Sequence, residues 1–347
     1  MEKEFDQSNT KTCPAGLIDL FNKTYSERLE NCIPLEAHAS TRRYYILKSK
    51  SYETLGATGD DPQENKAFVK LAKHLTKNGV NVPRVISHTD DYKFYIQELC
   101  DQVDLFSLVT KYPEKQIELL TKAIDLLVNF QKKGTIGWDY SDSYPFKSFD
   151  SKEINNNFKR LSEYLLGSIN ISFNKKILDD FEKILIREIE SIPKNEYVLM
   201  HRDFQSRNIL INKEIYTLID FQGSRSGPKH YDLASLLFQS RINWKKESQE
   251  YLLNYYLNLN KEIDDRDLFI KNFYFLGAVR IIQALGSYGI AIYLNNKKSF
   301  LASITPALKN LREITEVLNK RYKINTDKTV ELIDELIIFF SKNDTSI

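Results

Sequence analysis

MHRDFQSRNILINKEIYTLIDFQ, residues 200–222, decides how this 347-residue chain is read. It holds His201-Arg202-Asp203, then Asn208 five positions after Asp203, then Asp220 twelve further on. Phosphoryl transfer asks for one carboxylate beside the attacking hydroxyl, and for an amide and a second carboxylate on the metal ions that neutralise nucleotide phosphates. Asp203 fits the first task, Asn208 and Asp220 the other two. NILINKEIYTLIDF reads as two short apolar strands around an Asn212-Lys213-Glu214 turn. A hairpin brings its ends together, so Asn208 and Asp220 are expected side by side, sharing a magnesium ion. A plain turn and hairpin, or a degenerate fold that binds nucleotide without turnover, are the competing explanations.

Upstream, Pro14 to about Glu30 carries one apolar helical face with Leu17, Leu20 and Phe21. Strand patterns follow at Ile33 to Ala39, Arg43 to Lys48 and Tyr52 to Thr58, then a helix from Asp61-Pro62 to Lys77 that faces Phe68, Leu71, Ala72 and Leu75 inward and ends at Gly79. Two more strands, near Pro83 to His88 and Lys93 to Glu98, complete a five-stranded antiparallel sheet with one intervening helix. Beyond Cys100 almost everything apart from the hairpin is helical, over 104–133, 150–168, 173–190, 229–239, 245–260, 263–294, 298–322 and 328–342. The expected class is α+β in two lobes: residues 1–30 a tail and helix, 31–100 a small β-rich nucleotide-binding lobe, and 101–347 a larger helical lobe for catalysis and acceptor binding. A nucleotide belongs in the cleft between them.

Lys plus Arg total 49 against 47 Asp plus Glu, a net charge of +2, which offers no global field for nucleic acid or an anionic membrane. Cys13, Cys32 and Cys100 lack metal-ligand spacing and leave an odd thiol, so a disulfide framework is not expected and the reading is a reducing cytoplasm. MEKEFDQSNTKT lacks the apolar stretch of an export signal. LGAVRIIQALGSYGIAIYL from Leu276 is interrupted by Arg280, Gln283 and Ser287, which predicts a buried helix rather than a membrane span. Oligomeric state is not legible.

HRDFQSRN, LIDFQGSRSGPKHYDLASLL and ASTRRYY (39–45), together with RIIQALGSYG from Arg280, resemble the aminoglycoside phosphotransferase and choline kinase-like superfamily. Within it they are most similar to the bacterial branch of anomeric N-acetylmuramate/N-acetylglucosamine kinases. The resemblance implies the two-lobed protein kinase-like fold, ATP and Mg2+ as cofactors, and a sugar or amino-sugar hydroxyl as acceptor. The rival acceptor class is an aminoglycoside. Position by position it implies Asp203 as the base or hydroxyl-orienting group and Asn208 and Asp220 as magnesium ligands. His201 and Arg202 then brace the loop through a carboxylate such as Asp232. Arg207, inside the loop, either steadies the transferring phosphoryl group or pairs on the surface. Gln205 hydrogen-bonds either a sugar or the loop itself.

Across the cleft, Ser40, Thr41, Arg42 and Arg43 lie in the turn expected over the phosphates, and Glu64 is the carboxylate that would orient a phosphate-binding lysine. The third strand, SYETLGAT (51–58), contains no lysine, and Lys48, Lys50, Arg42 and Arg43 are equally placed to supply the cation. Gln97-Glu98-Leu99 fits the connection that pairs with the adenine edge through backbone groups. On the acceptor side, Trp138 and Asp139 sit in the long polar, aromatic loop GWDYSDSYPFKSFD, either against a sugar or anchoring the loop. Arg280, Gln283 and Ser287 share one helix face, and such a polar stripe either lines the acceptor cleft or pairs internally.

Overall fold

The computed structural model describes residues 13–35, 42–100, 103–169, 173–242, 244 and 246–343. Helix α1 (Ala15–Tyr25) leads into a meander of β1 (Asn31–Pro34), β2 (Arg43–Lys48) and β3 (Glu53–Thr58), followed by α2 (Pro62–Lys77), β4 (Val85–His88) and β5 (Phe94–Glu98). The strands form one antiparallel sheet in the order β1-β2-β3-β5-β4. Period-two alternation gives the sheet two apolar faces. Leu17, Leu20 and Phe21 of α1 cover one, with Cys32, Tyr45, Leu47 and Ile96. The approach is close at Gly56, where a Cβ would lie 2.7 Å from Leu47 and 2.8 Å from Leu17.

The other face carries Ala57 and Tyr95 against Phe68, Leu71, Ala72 and Leu75 of α2. Burying each such Leu or Phe is worth about 1.5–3 kcal/mol. Asp61 caps α2 by accepting from the Gln63 N–H (2.9 Å), Pro62 supplies the first turn, and Gly79 takes the left-handed conformation (φ 71°) that ends it. This core continues without a break into the helical lobe through Leu105, Leu127, Phe130, Phe204 and Phe221.

The second part opens with β6 (Val103–Asp104) and the helices α3 (Leu105–Lys111) and α4 (Gln116–Thr135), which Pro113 separates where the sequence pattern reads as one helix. Next come α5 (Ser151–Arg160), α6 (Lys175–Glu190), β7 (Tyr197–Met200), the hairpin strands β8 (Ile209–Asn212) and β9 (Ile215–Leu218), and β10 (Arg225–Pro228). Then follow α7 (His230–Leu237), α8 (Lys246–Leu259), α9 (Arg266–Gly289, continued to Leu294 as a wider, i→i+5 bonded turn), α10 (Ile304–Lys320) and α11 (Asp327–Asn343). β6, β7 and β10 correct the expectation that the hairpin is the only β-structure here. β6 adds to the hairpin beside β8, and β7 pairs antiparallel with β10. At two to four residues, one of them Arg-Ser-Gly-Pro, these strands are too short to show a period.

α9 is the one described helix long and apolar enough to cross a membrane, but 67% of its apolar window is buried inside the protein. It forms the spine of the second core with α5, α10 and α11. The cysteine expectation is also corrected. Cys13 and Cys32 form a disulfide with Cα atoms 5.9 Å apart, because the turn after α1 brings β1 back beneath the start of the helix. Cys100 remains free, its thiol pushed up to about 11 by burial.

Candidate active site

β7 ends at Met200, and the chain then makes a tight excursion before entering β8. Arg202 (φ 78°) and Asp220 (φ 63°) both hold left-handed backbone, each costing about 1–3 kcal/mol. Asp232, fully buried on α7, offsets the first: its two carboxylate oxygens accept from the His201 N–H (2.7 Å) and the Arg202 N–H (2.9 Å). The His201 ring accepts from the Asp203 N–H at Nδ1 (3.2 Å), which leaves Nε2 to donate to the Ile219 carbonyl (3.0 Å). One neutral imidazole thus joins the loop to the strand exit. Burial holds His201 below the ordinary histidine range, in keeping with that neutral form. Ser206 fixes the far side of the loop, donating from N and Oγ to Gln239 Oε1 (3.0 and 2.6 Å).

On this frame the Asn208 amide nitrogen donates to the Asp203 carbonyl (2.9 Å) and contacts its carboxylate Oδ2 (3.3 Å). The Ile219 N–H donates to the Asn208 carbonyl (2.9 Å), so Asp220 emerges beside Asn208. Gln205 turns inward, its amide donating to Asp203 Oδ2 (2.9 Å). Asp220 is exposed and accepts from Gln222 (2.9 Å). Arg207 points elsewhere, its guanidinium stacked 4.0 Å over the ring of Phe106 on α3. Asn208 gives its nitrogen to Asp203 and retains an oxygen, and Asp220 adds a carboxylate. Two hard oxygen donors with open positions suit magnesium, which keeps water and phosphate in its shell. Among the described residues no group of three His, Cys, Asp or Glu offers a closed protein cage.

Across the cleft, Ser40 and Thr41 lie outside the described residues. Arg42 and Arg43 have different surroundings. Arg43 is exposed and 3.7 Å from Asp60. Arg42 is only 2% exposed, with a nitrogen 3.2 Å from Glu64 of α2, another 3.3 Å from the Tyr44 hydroxyl, and its guanidinium 5.4 Å above Phe68. A cation paired with the helix carboxylate is therefore present, delivered from the entry to β2, while β3 offers only Ala57 to that core. Phe68 stacks on Phe221 (4.8 Å), the residue after Asp220, and so joins α2 to the segment of the second candidate metal ligand. Gln97 is buried in β5 with Oε1 lacking a hydrogen-bond partner, Glu98 pairs with Arg84 (2.9 Å), and Leu99 follows in the connection.

The loop holding Trp138 and Asp139 works as a strap. Trp138 donates to Ser143 Oγ (3.1 Å) and packs on His74 of α2, while Asp139 accepts from the Ser141 N–H (2.9 Å). Asp142 pairs with Lys70 of α2 (2.5 Å), and the Tyr144 hydroxyl donates to Asp61, the α2 cap. Further on, the Phe149 N–H donates to the Ser226 carbonyl of β10 (2.7 Å), and Asp150 caps α5. Glu153 of α5, a residue sequence reasoning missed, bridges Arg202 (2.8 Å) and Arg225 (2.9 Å). A lone Glu in a polar helix carries no signal of such a role. Arg280 and Gln283 of α9 also meet the site: Arg280 contacts Asp203 Oδ1 (2.6 Å) and Ser235 Oγ (2.8 Å), and donates to Gln283.

A family model described as the phosphotransferase enzyme family matches residues 31–268, from β1 to the start of α9. The chain belongs to this family. As a phosphotransferase it transfers phosphate to a hydroxyl acceptor. It is 23% identical over 282 residues to an N-acetylmuramate/N-acetylglucosamine kinase of Pseudomonas aeruginosa, covering 78% of this chain and 80% of that one. It is 24% identical over 302 residues to the protein of the same name from Neisseria meningitidis, covering 84% and 87%. Among solved structures, the phosphotransferase fold is shared with a spectinomycin phosphotransferase in complex with ADP and spectinomycin (TM-score 0.58, 15% identity, 89% and 98% coverage). It is also shared with an amicoumacin kinase in complex with AMP-PNP and Ca2+ (TM-score 0.60, 13% identity, 82% and 87% coverage).

Two buried groups of this phosphotransferase give opposite pH dependences. Burial pushes Asp232 up to about 7 from its ordinary 3.8, so its contribution to stability is full below that ordinary value and is lost as pH rises through about 7. Burial, aided by Lys229, holds His230 down at about 3 against an ordinary 6.5, so its contribution is full above 6.5 and is lost as pH falls. Urea midpoints should show the advantage of the wild type over Asp232→Asn shrinking from pH 4 to 7. Its advantage over His230→Gln should grow over the same range.

Proposed function

We propose that the chain is an ATP- and Mg2+-dependent small-molecule kinase that transfers the γ-phosphoryl group to a sugar hydroxyl, the anomeric hydroxyl of an N-acetylated amino sugar. The observation that carries this reading is the contact of Asn208 with the Asp203 carboxylate, with Asp220 brought alongside by the Ile219–Asn208 backbone bond. Asp203 orients the acceptor and takes its proton. The acceptor oxygen bonds to the γ-phosphorus as the bond to the bridging oxygen breaks and ADP leaves with that electron pair. Asn208 and Asp220 hold Mg2+, which neutralises the phosphates. The Arg42–Glu64 pair supplies a buried positive charge behind the phosphates, and Gln97 to Leu99 border the adenine. Residues 31–100 form the nucleotide lobe and 101–347 the acceptor lobe.

The choice of acceptor is supported by the names of the relatives in Pseudomonas and Neisseria. The N-acetylated sugars also lack the several ammonium groups that would call for an acidic pocket, and the Asp203 carboxylate is already matched by Arg280. The kinase acts on a free small molecule, with no nucleic-acid or membrane partner. The Cys13–Cys32 bridge lies in elements that hold none of the site residues. A nucleotide-binding module without turnover is disfavoured by the Arg42–Glu64 pair, which supplies the cation that β3 lacks.

The deciding experiment measures ADP release over amino sugars, other hexoses, choline-like alcohols and aminoglycosides, with phosphorus NMR of the product. An anomeric phosphate on an N-acetylated amino sugar is expected. Turnover with aminoglycosides alone, or ATP binding with no turnover, rejects the reading.

A further inference from the structure

Asp203 and Arg280 lie 77 positions apart in the sequence, and α7 brings them together. Asp232 and Ser235 are three apart on α7 and therefore share a face. Asp232 fastens the loop backbone at His201 and Arg202, and Ser235 accepts from Arg280 Nε (2.8 Å). The other two nitrogens of the guanidinium go to Gln283 Oε1 and to Asp203 Oδ1 (2.6 Å). Gln283 is in turn held by Ser287 (3.1 Å), one turn further along α9. The Arg280 side chain is 12% exposed, and each of its three nitrogens is bonded within the chain, which commits three of its five N–H groups internally.

From this geometry we infer that Arg280 is a positioning residue for Asp203, rather than an acceptor contact, and that it fixes the plane of the carboxylate that meets the acceptor. Arg280 occupies Oδ1. Oδ2 accepts from Gln205 (2.9 Å) and lies 3.3 Å from the Asn208 amide, so the carboxylate is held at both oxygens. A charge-assisted bond at 2.6 Å fixes the carboxylate plane more firmly than a neutral donor would. The positive charge of Arg280 also favours the ionised form of the buried Asp232. The catalytic part of this inference rests on the kinase proposed above; the pairing itself does not.

Two measurements test it. In the first, Arg280→Gln and Arg280→Ala are assayed with ATP and the accepted sugar. Arg280→Gln is expected to lower kcat about 10²-fold, the cost of a misplaced reacting group, with KM for ATP within about twofold. Low millimolar guanidinium should restore part of the Arg280→Ala rate. A retained kcat with a raised acceptor KM overturns the inference in favour of direct acceptor binding. In the second, thermal melting of Arg280→Gln, Asp203→Asn and the double variant requires no turnover. A double loss smaller than the sum of the single losses supports the pairing, and additive losses overturn it. Absence of acceptor-dependent ADP release in the wild type rejects the kinase reading alone, and the melting cycle still reports on the pair.

Discussion

Asp203→Asn lowers acceptor-dependent turnover by about 10²–10⁴-fold, the usual worth of a positioned acid or base. The substitution keeps the volume of the side chain and the neighbouring Asn208 and Asp220. Nucleotide binding, followed by ADP titration in the presence of magnesium, should therefore stay within a few-fold of the wild type. What changes is the carboxylate end. The variant amide has a single oxygen where Arg280, Gln205 and Asn208 now share two, and its nitrogen faces a donor. The acceptor hydroxyl then loses both its orientation and the group that takes its proton. Sugar phosphorylation at an undiminished rate would remove Asp203 from the reaction.

Arg42→Met is the second large effect, and it is expected in KM for ATP. Removing a buried cation close to the phosphates is expected to cost about 1.4 kcal/mol, or roughly tenfold. Arg43→Met, which removes an exposed cation of the same strand, should leave KM within about twofold. Because Arg42 is buried beside Glu64, its removal also strands a carboxylate and costs stability. The double change Arg42→Met with Glu64→Leu separates the two consequences: melting should recover while KM for ATP stays high. Recovery of both would make the pair a stabilising element only.

The legible parts of this chain were those whose signal is local. Asp61-Pro62 and Gly79 mark both ends of α2, and the hairpin announces itself by two apolar runs around Asn212-Lys213-Glu214. Spacing within residues 200–222 was enough to gather the candidate catalytic and metal-binding groups. What the sequence withheld were partners met only after folding. Four cations near β2 were equivalent until the close of the sheet on α2 put Arg42 against Glu64 and left Arg43 in solvent. The polar stripe of α9 was visible by its helical spacing, but its target was not, since Asp203 arrives from a different element. Cys13 and Cys32 were unpaired on paper for the same reason. Trp138 and Asp139, in a loop with a sugar-binding composition, are engaged in fastening that loop to itself and to α2.

That strap bears on how firmly the two halves of the molecule are joined. A sheet joined to its helical base only through the chain at Leu99 to Asp104 would be free to tilt in any direction. Lys70–Asp142, at the middle of α2, and Tyr144–Asp61, at its start, add polar attachments to the core beneath the helix. With the unbroken core beneath α2, the stacking of Phe68 on Phe221 and the Leu218–Asn81 backbone bond, these contacts hold the sheet along the length of α2 and resist both tilt and twist. The spacing between Arg42 and the catalytic loop is then set by packing, through Phe68 and Phe221.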